Sequence, residues 1–486
     1  DAGWAANYSN TISPNGTSGT FNNSGTFTRS VGTGMTTINI PFNNSHIVTV
    51  QAGALALNGG GTETGSFQVA SGATLNFGGT GTTLAAGSSL SGPGTTIVSG
   101  TVSVTGSAVT YSGGGTLQVT TMLGGAGVLN GAGTLTATAP LELSAGTMSG
   151  TGITNANGGL SIDGYPNFLD TRTLNNGGSA TFTGTTAGLL YVYNGATINN
   201  SGTFDAGWAA NYSNTISPNG TSGTFNNSGT FTRSVGTGMT TINIPFANTG
   251  TVDVQAGTLE FDGSLSIGNN SSLKVSGGKL RINVTGAASV GTGATASISG
   301  AGTLELASSI SALGVASPTA DRVAISNTST AAAGLLISAG NQQVGAISGS
   351  GNVQVNAGTS LTADSIIAGA LVIGGASGNP TRVTIAASDD NGEPLAEGAS
   401  SADAGGMALD GIPNLNPTPG LPSFDPASLA SASNPYDSIM SSNTPMSGTA
   451  ALGDSAVPEP STITLLATAI AGLSALGLRR LNASRC

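Results

Sequence analysis

Cysteine, histidine and positive charge are nearly missing from this chain. Cys486 is the single cysteine and the last of 486 residues, and His46 is the only histidine. The body before residue 486 therefore holds no disulfide and no thiolate metal site, and one imidazole with one thiol makes no zinc set. Lysine and arginine number 11 against 22 acids, a formal net charge of −11. Binding to nucleic acid rests on clustered basic side chains, so no nucleic acid is expected as a partner. Charged residues are only 7% and aromatics 5%, while glycines number 78. Such a chain cannot solvate the faces of many helices, and its glycines disfavour them. An ordinary helical globule is excluded. A typical disordered chain is excluded too, because hydrophobic residues reach 38% and are regularly placed.

That regularity is an alternation. Val48, Val50, Gly53, Leu55 and Leu57 form one unit, and Phe67, Val69, Gly72, Leu75 and Phe77 form the next. Val252, Val254, Gly257, Leu259 and Phe261 are followed in the same way by Leu273, Val275, Gly277, Leu280 and Ile282, and Val353, Val355, Gly358 and Leu361 repeat the phrase. Apolar residues two apart mark a half-buried strand. The glycine then turns the chain by supplying a positive φ. Lys274 and Arg281 fall on the outward phase. Strand, tight turn and strand at a period of roughly twenty residues is the pattern of a β-solenoid. The few inward aliphatics of one coil do not offset the entropy of ordering it, so coils must stack. A β-sandwich array is the structural alternative.

A longer repeat overlies the short one. Residues 1–42 recur without a change as 205–246, and a weaker likeness continues to 59 and 263. A duplication of this kind is tolerated by an array of repeats more readily than by one closed globule. Asp1 starts in the middle of the longer unit and no initiator methionine or leader precedes it, so upstream sequence is expected. After about residue 387 the alternation stops. Between Arg382 and Arg479 there is no basic residue, while ten of the 22 acids and ten of the 19 prolines fall there. Residues 388–456 are therefore expected to form a disordered acidic linker. Ser461 then opens an apolar run through Leu478, closed by Arg479 and Arg480. As a helix that run spans about 27 Å, enough to cross a hydrocarbon core, with the arginines on the cytoplasmic side.

The last segment, 457–486, resembles the PEP-CTERM sorting signal of exported proteins from bacteria with an outer membrane. Val457, Pro458, Glu459, Pro460, Ser461 and Thr462, the apolar span, and the closing Arg479 and Arg480 carry the likeness. The resemblance implies a transmembrane sorting helix removed by an exosortase, a membrane cysteine transpeptidase, and a mature protein at the cell surface or in the extracellular matrix. A plain C-terminal anchor is the alternative. Over 1–387 the phrases Gly-Thr-Leu, Gln-Ala-Gly and Ala-Ile-Ser-Gly-Ser-Gly are similar to the passenger and adhesin repeats of autotransporter-type right-handed parallel β-helices. An autotransporter passenger as such is disfavoured, since no C-terminal barrel pattern follows.

Few residues offer chemistry. His46 stands alone, without a Gly-x-Ser-x-Gly elbow, and the matching position in the second copy is Gly250, so it is expected at the surface. Asp163, Asp170 and Arg172, and the neighbours Asp321 and Arg322, are the best local candidates for a polysaccharide lyase or hydrolase. They serve equally as a loop interrupting a coil and as a surface ion pair. Trp4 and Trp208, with Tyr8 and Tyr212, could stack on sugars or pack over the groove between coils; packing is the expectation. Neither a catalytic residue nor a cofactor or metal is assigned. The expected molecule is an all-β solenoid with a linker and a sorting helix. It would be a non-enzymatic structural or adhesive surface protein, with an exosortase, the membrane and exopolysaccharide as partners. A secreted carbohydrate-active enzyme on the same scaffold is the rival.

Overall fold

A computed structural model describes residues 1–2, 8–17, 19–121, 127–182, 188–207, 212–314, 321–374 and 381–385. All of them belong to one compact unit, Asp1–Pro413. The linker at 388–456, the sorting tail at 457–486, Trp4 and Trp208 lie outside the described residues.

Among the described residues there are 49 strands and no helix. The chain winds as a parallel β-solenoid in which each strand pairs with its counterpart in the neighbouring coil. The first face is a 16-stranded sheet that starts at Asn10–Ile12. The second face runs through strand-to-strand pairings from Phe21–Asn23 to Leu371–Ile373. The third is a 13-stranded sheet from Thr26–Arg29 to Ala288–Val290, and a three-stranded sheet joins Asn341–Val344, Ser360–Ala363 and Arg382–Ile385. Every ladder among these strands is parallel, with a register shift at Thr80–Thr82 where that strand meets Thr101–Val104, which rules out the sandwich array.

The core is one column along the stack. On the first face Phe204 pairs with Phe231, Phe231 with Val252 and Val252 with Leu273, and all four are buried. The alternation foresaw Val252 and Leu273 as inward, along with the turn glycines Gly53, Gly72, Gly257 and Gly358, whose φ values are all positive. Gly277 is not among the positive-φ glycines. The coil itself differs from expectation in having three strands where two were foreseen. Thr251–Val254 and Thr258–Phe261 are followed by Leu265–Ile267, which buries Leu265 and Ile267 on a third face.

Polar side chains enter the core where they can bond to their own kind in the next coil. Asn176 donates to Asn200, Asn200 to Asn227 and Asn227 to Asn248, each at 2.7 Å and buried. The amide N–H groups, which would be costly to bury alone, are thus taken up by the coil beside them, although the Asn176 oxygen at the start of the ladder has no partner. An outward ladder runs in parallel, from Asn226 to Asn199, Asn199 to Asn175 and Asn175 to Asn155.

The duplicated segment is rotated within this frame. Asn10–Ile12 lies on the first face but Asn214–Ser217 on the second; Phe21–Asn23 on the second but Thr224–Asn227 on the third; Thr26–Arg29 on the third but Thr230–Arg233 on the first. The offset of 204 residues is thus a whole number of coils plus one face. One sequence fits two faces because all of them offer the same environment, an apolar column inside and water outside.

Candidate functional site

The acids chosen from sequence sit where three strands of one coil meet. Leu160–Asp163 belongs to the first face, Asn167–Asp170 to the second and Thr173–Asn176 to the third. Buried Asn167 fixes the first corner. Its amide donates to the carbonyls of Asp163 at 2.8 Å and Gly164 at 3.2 Å, and its oxygen accepts from the Gly146 N–H at 3.3 Å. The Asp163 carboxylate accepts from the N–H of Gly164 at 2.6 Å. Tyr165, at the apex of this turn, is 59% exposed.

At the second corner Thr171 holds a left-handed φ of 62° and Asn194, one coil on, a φ of 54°. The Asp170 Oδ1 atom joins them, accepting from the Thr171 hydroxyl at 2.8 Å and the Asn194 amide at 2.9 Å. Asp163 and Asp170 therefore end strands of different faces and each braces its own corner; the structure does not bring them together as an acid and base pair. Arg172 turns inward and is completely buried. Its guanidinium donates to the carbonyls of Gly131, Gly133, Ser149 and Ile153 and to the Thr154 hydroxyl. Burial pushes it down to about 10, which leaves it charged at neutral pH within a cage of carbonyl oxygens. It is a structural residue.

Outside this corner lies an aromatic cluster. Phe168 pairs in register with Tyr191 of the next coil, and Asp170 with Tyr193. The Phe168 and Tyr191 rings stack with centroids 5.3 Å apart and planes 22° apart, and Tyr193 meets Phe168 edge-on at 6.5 Å. All three are half-buried on the outward phase. Partial burial, and then the Asp170 charge, raise the Tyr193 hydroxyl above its ordinary range, so it stays a proton donor.

The remaining candidates are scattered. His46 is exposed, as expected, and its backbone N–H bonds the Asn44 side chain. Asp321 accepts from the Thr292 hydroxyl at 2.8 Å, while Arg322 pairs with Asp364 at 2.8 Å and reaches Gln343; the adjacent charges serve different partners. Tyr8 and Tyr212 are exposed, while Trp4 and Trp208, on which the packing expectation rests, lie outside the described residues. The sorting residues Val457, Pro458, Glu459, Pro460, Ser461, Thr462, Arg479 and Arg480 lie outside the described residues. Among the described residues no three His, Cys, Asp or Glu side chains gather as a metal set, and no helix is long and apolar enough to cross a membrane.

Three features were missed in the sequence. Arg29 and Arg233 are buried like Arg172 and donate to the carbonyls of the turns that follow them. Outward acids and bases form a charge ladder across coils. Arg281 pairs with Glu260 and reaches Glu305 at 3.5 Å, and Lys279 meets Glu305 at 2.9 Å. Burial raises the Glu305 carboxyl, but the hydrogen bonds of Lys279 and Ser338 and the nearby charges outweigh it and hold the group below its ordinary value. Third, Glu63 is fully buried, with one carboxylate oxygen bonded to the Asn44 N–H at 3.0 Å and the other without a partner. Burial, only partly offset by that bond, pushes it up to about 8. The repeat-related residues of the arginines would have been a usable signal, since Arg29 and Arg233 share one sequence context.

The chain matches no protein-family model, no curated protein and no solved structure.

Proposed function

We propose that this chain is a non-enzymatic structural or adhesive protein, exported and displayed at the cell surface or in the extracellular matrix of a bacterium with an outer membrane. One observation carries the reading: a stack of in-register coils that accepts the same 42-residue segment on different faces. A scaffold lengthened by copying, with no dependence on which face a copy occupies, suits a spacer or matrix element. An enzyme needs groups converging on one point, and the acids singled out here each brace a separate corner. Delivery falls to the tail at 457–486. Its proline-flanked Glu459 meets an exosortase at the membrane face, and the apolar span is discarded. Exopolysaccharide is the surrounding material.

Cell fractionation tests the proposal. Expressed with a secretion leader in a host that has an exosortase, the chain is expected in the surface or matrix fraction, and a chain lacking 457–486 is expected to leave it for the medium. Retention of the full chain inside the cell, or surface display independent of the tail, would overturn it.

A further inference from the structure

We propose that Phe168, Tyr191 and Tyr193, with Asp170 and Asn194 at their rim, form a binding platform for a neutral polysaccharide. The inference deepens the proposed surface role by giving it a contact site, but it stands on the chemistry of the patch. Aromatic residues are 5% of the chain, and nearly all the phenylalanines of the described residues point into the core. Here aromatic rings gather on the outside, in a wall otherwise made of threonine, serine and asparagine. Their neighbours in the second-face row are small: Thr147 precedes Phe168 and Ser217 follows Tyr191. No bulky side chain of that row covers the outer faces of the stacked pair. A pyranose ring has an apolar C–H face that suits an aromatic surface, and a belt of hydroxyls that needs donors and acceptors at the edge. Both are present. The tyrosine hydroxyls, the second Asp170 oxygen and the Asn194 carbonyl provide the polar rim.

Charge narrows the ligand. The patch carries Asp170, while the nearest arginine in sequence, Arg172, is turned inward and held by four carbonyls and a hydroxyl. A uronate-rich polymer would meet a carboxylate and no available cation from this corner, so a neutral chain is favoured. The corner is also held in place rather than loose. Thr171, a β-branched residue, keeps a left-handed φ of 62° beside Asn194 at 54°, and Asp170 bonds both. Strain of this kind persists where the surroundings fix a surface for use.

Affinity electrophoresis of the full chain tests the platform, in native gels containing dextran, a soluble β-glucan or galactomannan, with alginate as the anionic comparison. Retardation by at least one neutral polymer and none by alginate is expected. Tyr191→Ser, which places at 191 the residue already found at 217, should weaken the retardation about tenfold or more, the equivalent of about 1.4 kcal/mol. His46→Ala should leave it unchanged, and circular dichroism of each variant checks that the strands persist. No retardation in any neutral gel, retardation by alginate alone, or full retardation by folded Tyr191→Ser and Phe168→Ala variants would overturn the platform. Surface display is read separately by fractionation, so a displayed chain that fails to bind refutes this site and leaves the proposed function standing.

Discussion

The guanidinium carbon of Arg233 lies 2.5 Å from where a Cβ on Gly257 would stand. Gly257 also has a φ of +59°, so the turn between two strands requires glycine for conformation and for space. The same pair occurs in the first copy, where a Cβ on Gly53 would come 2.7 Å from Arg29 Nη2. Each glycine closes a turn over a buried charge whose terminal Nη groups donate to turn carbonyls, while its Nε is buried without a partner. Arg233 donates to Val235, Gly236, Gly238 and Ala256.

Gly257→Ala is therefore expected to destabilise the chain by about 1–3 kcal/mol. Arg233→Ala should cost more, about 3–5 kcal/mol, because it strands several buried carbonyls and leaves a cavity. Gly72→Ala, where nothing lies within 4 Å of the added carbon, should show only the backbone cost of its positive φ. Thermal unfolding of the three variants gives the ranking, and an equal effect of Gly72→Ala and Gly257→Ala would contradict the close approach.

Glu63 makes stability depend on pH. Its folded value of about 8 lies above the unfolded carboxyl value of 4.5, so the folded chain binds the proton more tightly. Its contribution to stability is then greatest below pH 4.5 and falls as pH rises from there to about 8, by up to about 5 kcal/mol. Ile267 occupies the matching position of the second copy, next to Asn248 at the end of its ladder. Glu63→Ile is expected to remove this pH dependence and to raise stability at pH 8 while changing little at pH 4. Denaturant titrations at the two pH values read the difference; parallel losses in wild type and variant would contradict the assignment.

The inward column is tested by two adjacent residues. Val252 is completely buried between Phe231 and Leu273, while Thr251 points outward between Thr230 and Ser272. Val252→Asp should destabilise by about 3–5 kcal/mol by placing a carboxylate among apolar side chains. Thr251→Asp should stay within about 0.5 kcal/mol of wild type. Limited proteolysis or thermal unfolding distinguishes them, and similar behaviour of the two would mean that the strand phase is wrong.

Alternation made the first two strands of a coil legible, because Val252, Val254, Leu259 and Phe261 state the period twice on either side of Gly257. Leu265–Ile267 escaped since three residues carry one alternation only. The rotation of the duplicate escaped for another reason. Coil length varies, with 19 residues between paired Thr36 and Leu55 but 27 between Phe204 and Phe231, so an offset of 204 does not reveal the face. In the candidate corner the sequence marked Asp163, Asp170 and Arg172 but not their orientation. Arg172 bonds carbonyls 19 to 41 residues earlier in the chain, and such partners are set by coil stacking rather than by local pattern. Asn227 was hidden likewise, because its inward place depends on Asn200 and Asn248 in the flanking coils. The aromatic platform was partly legible: Phe168 lies between the marked acids, while Tyr191 and Tyr193 join it only through the register of the next coil.

The mass of the mature protein tests the proposed export and processing most directly. Produced with a secretion leader in a host that has an exosortase, the chain should lose the apolar span and end near Pro458, Glu459 and Pro460. The proposed reading makes this proline-flanked acid the element that the enzyme recognises. Glu459→Ala should leave the tail in place, since a plain anchor needs only the span with Arg479 and Arg480 and is indifferent to that residue. A wild-type chain that retains its mass through Cys486, or equal processing of both forms, would contradict the account.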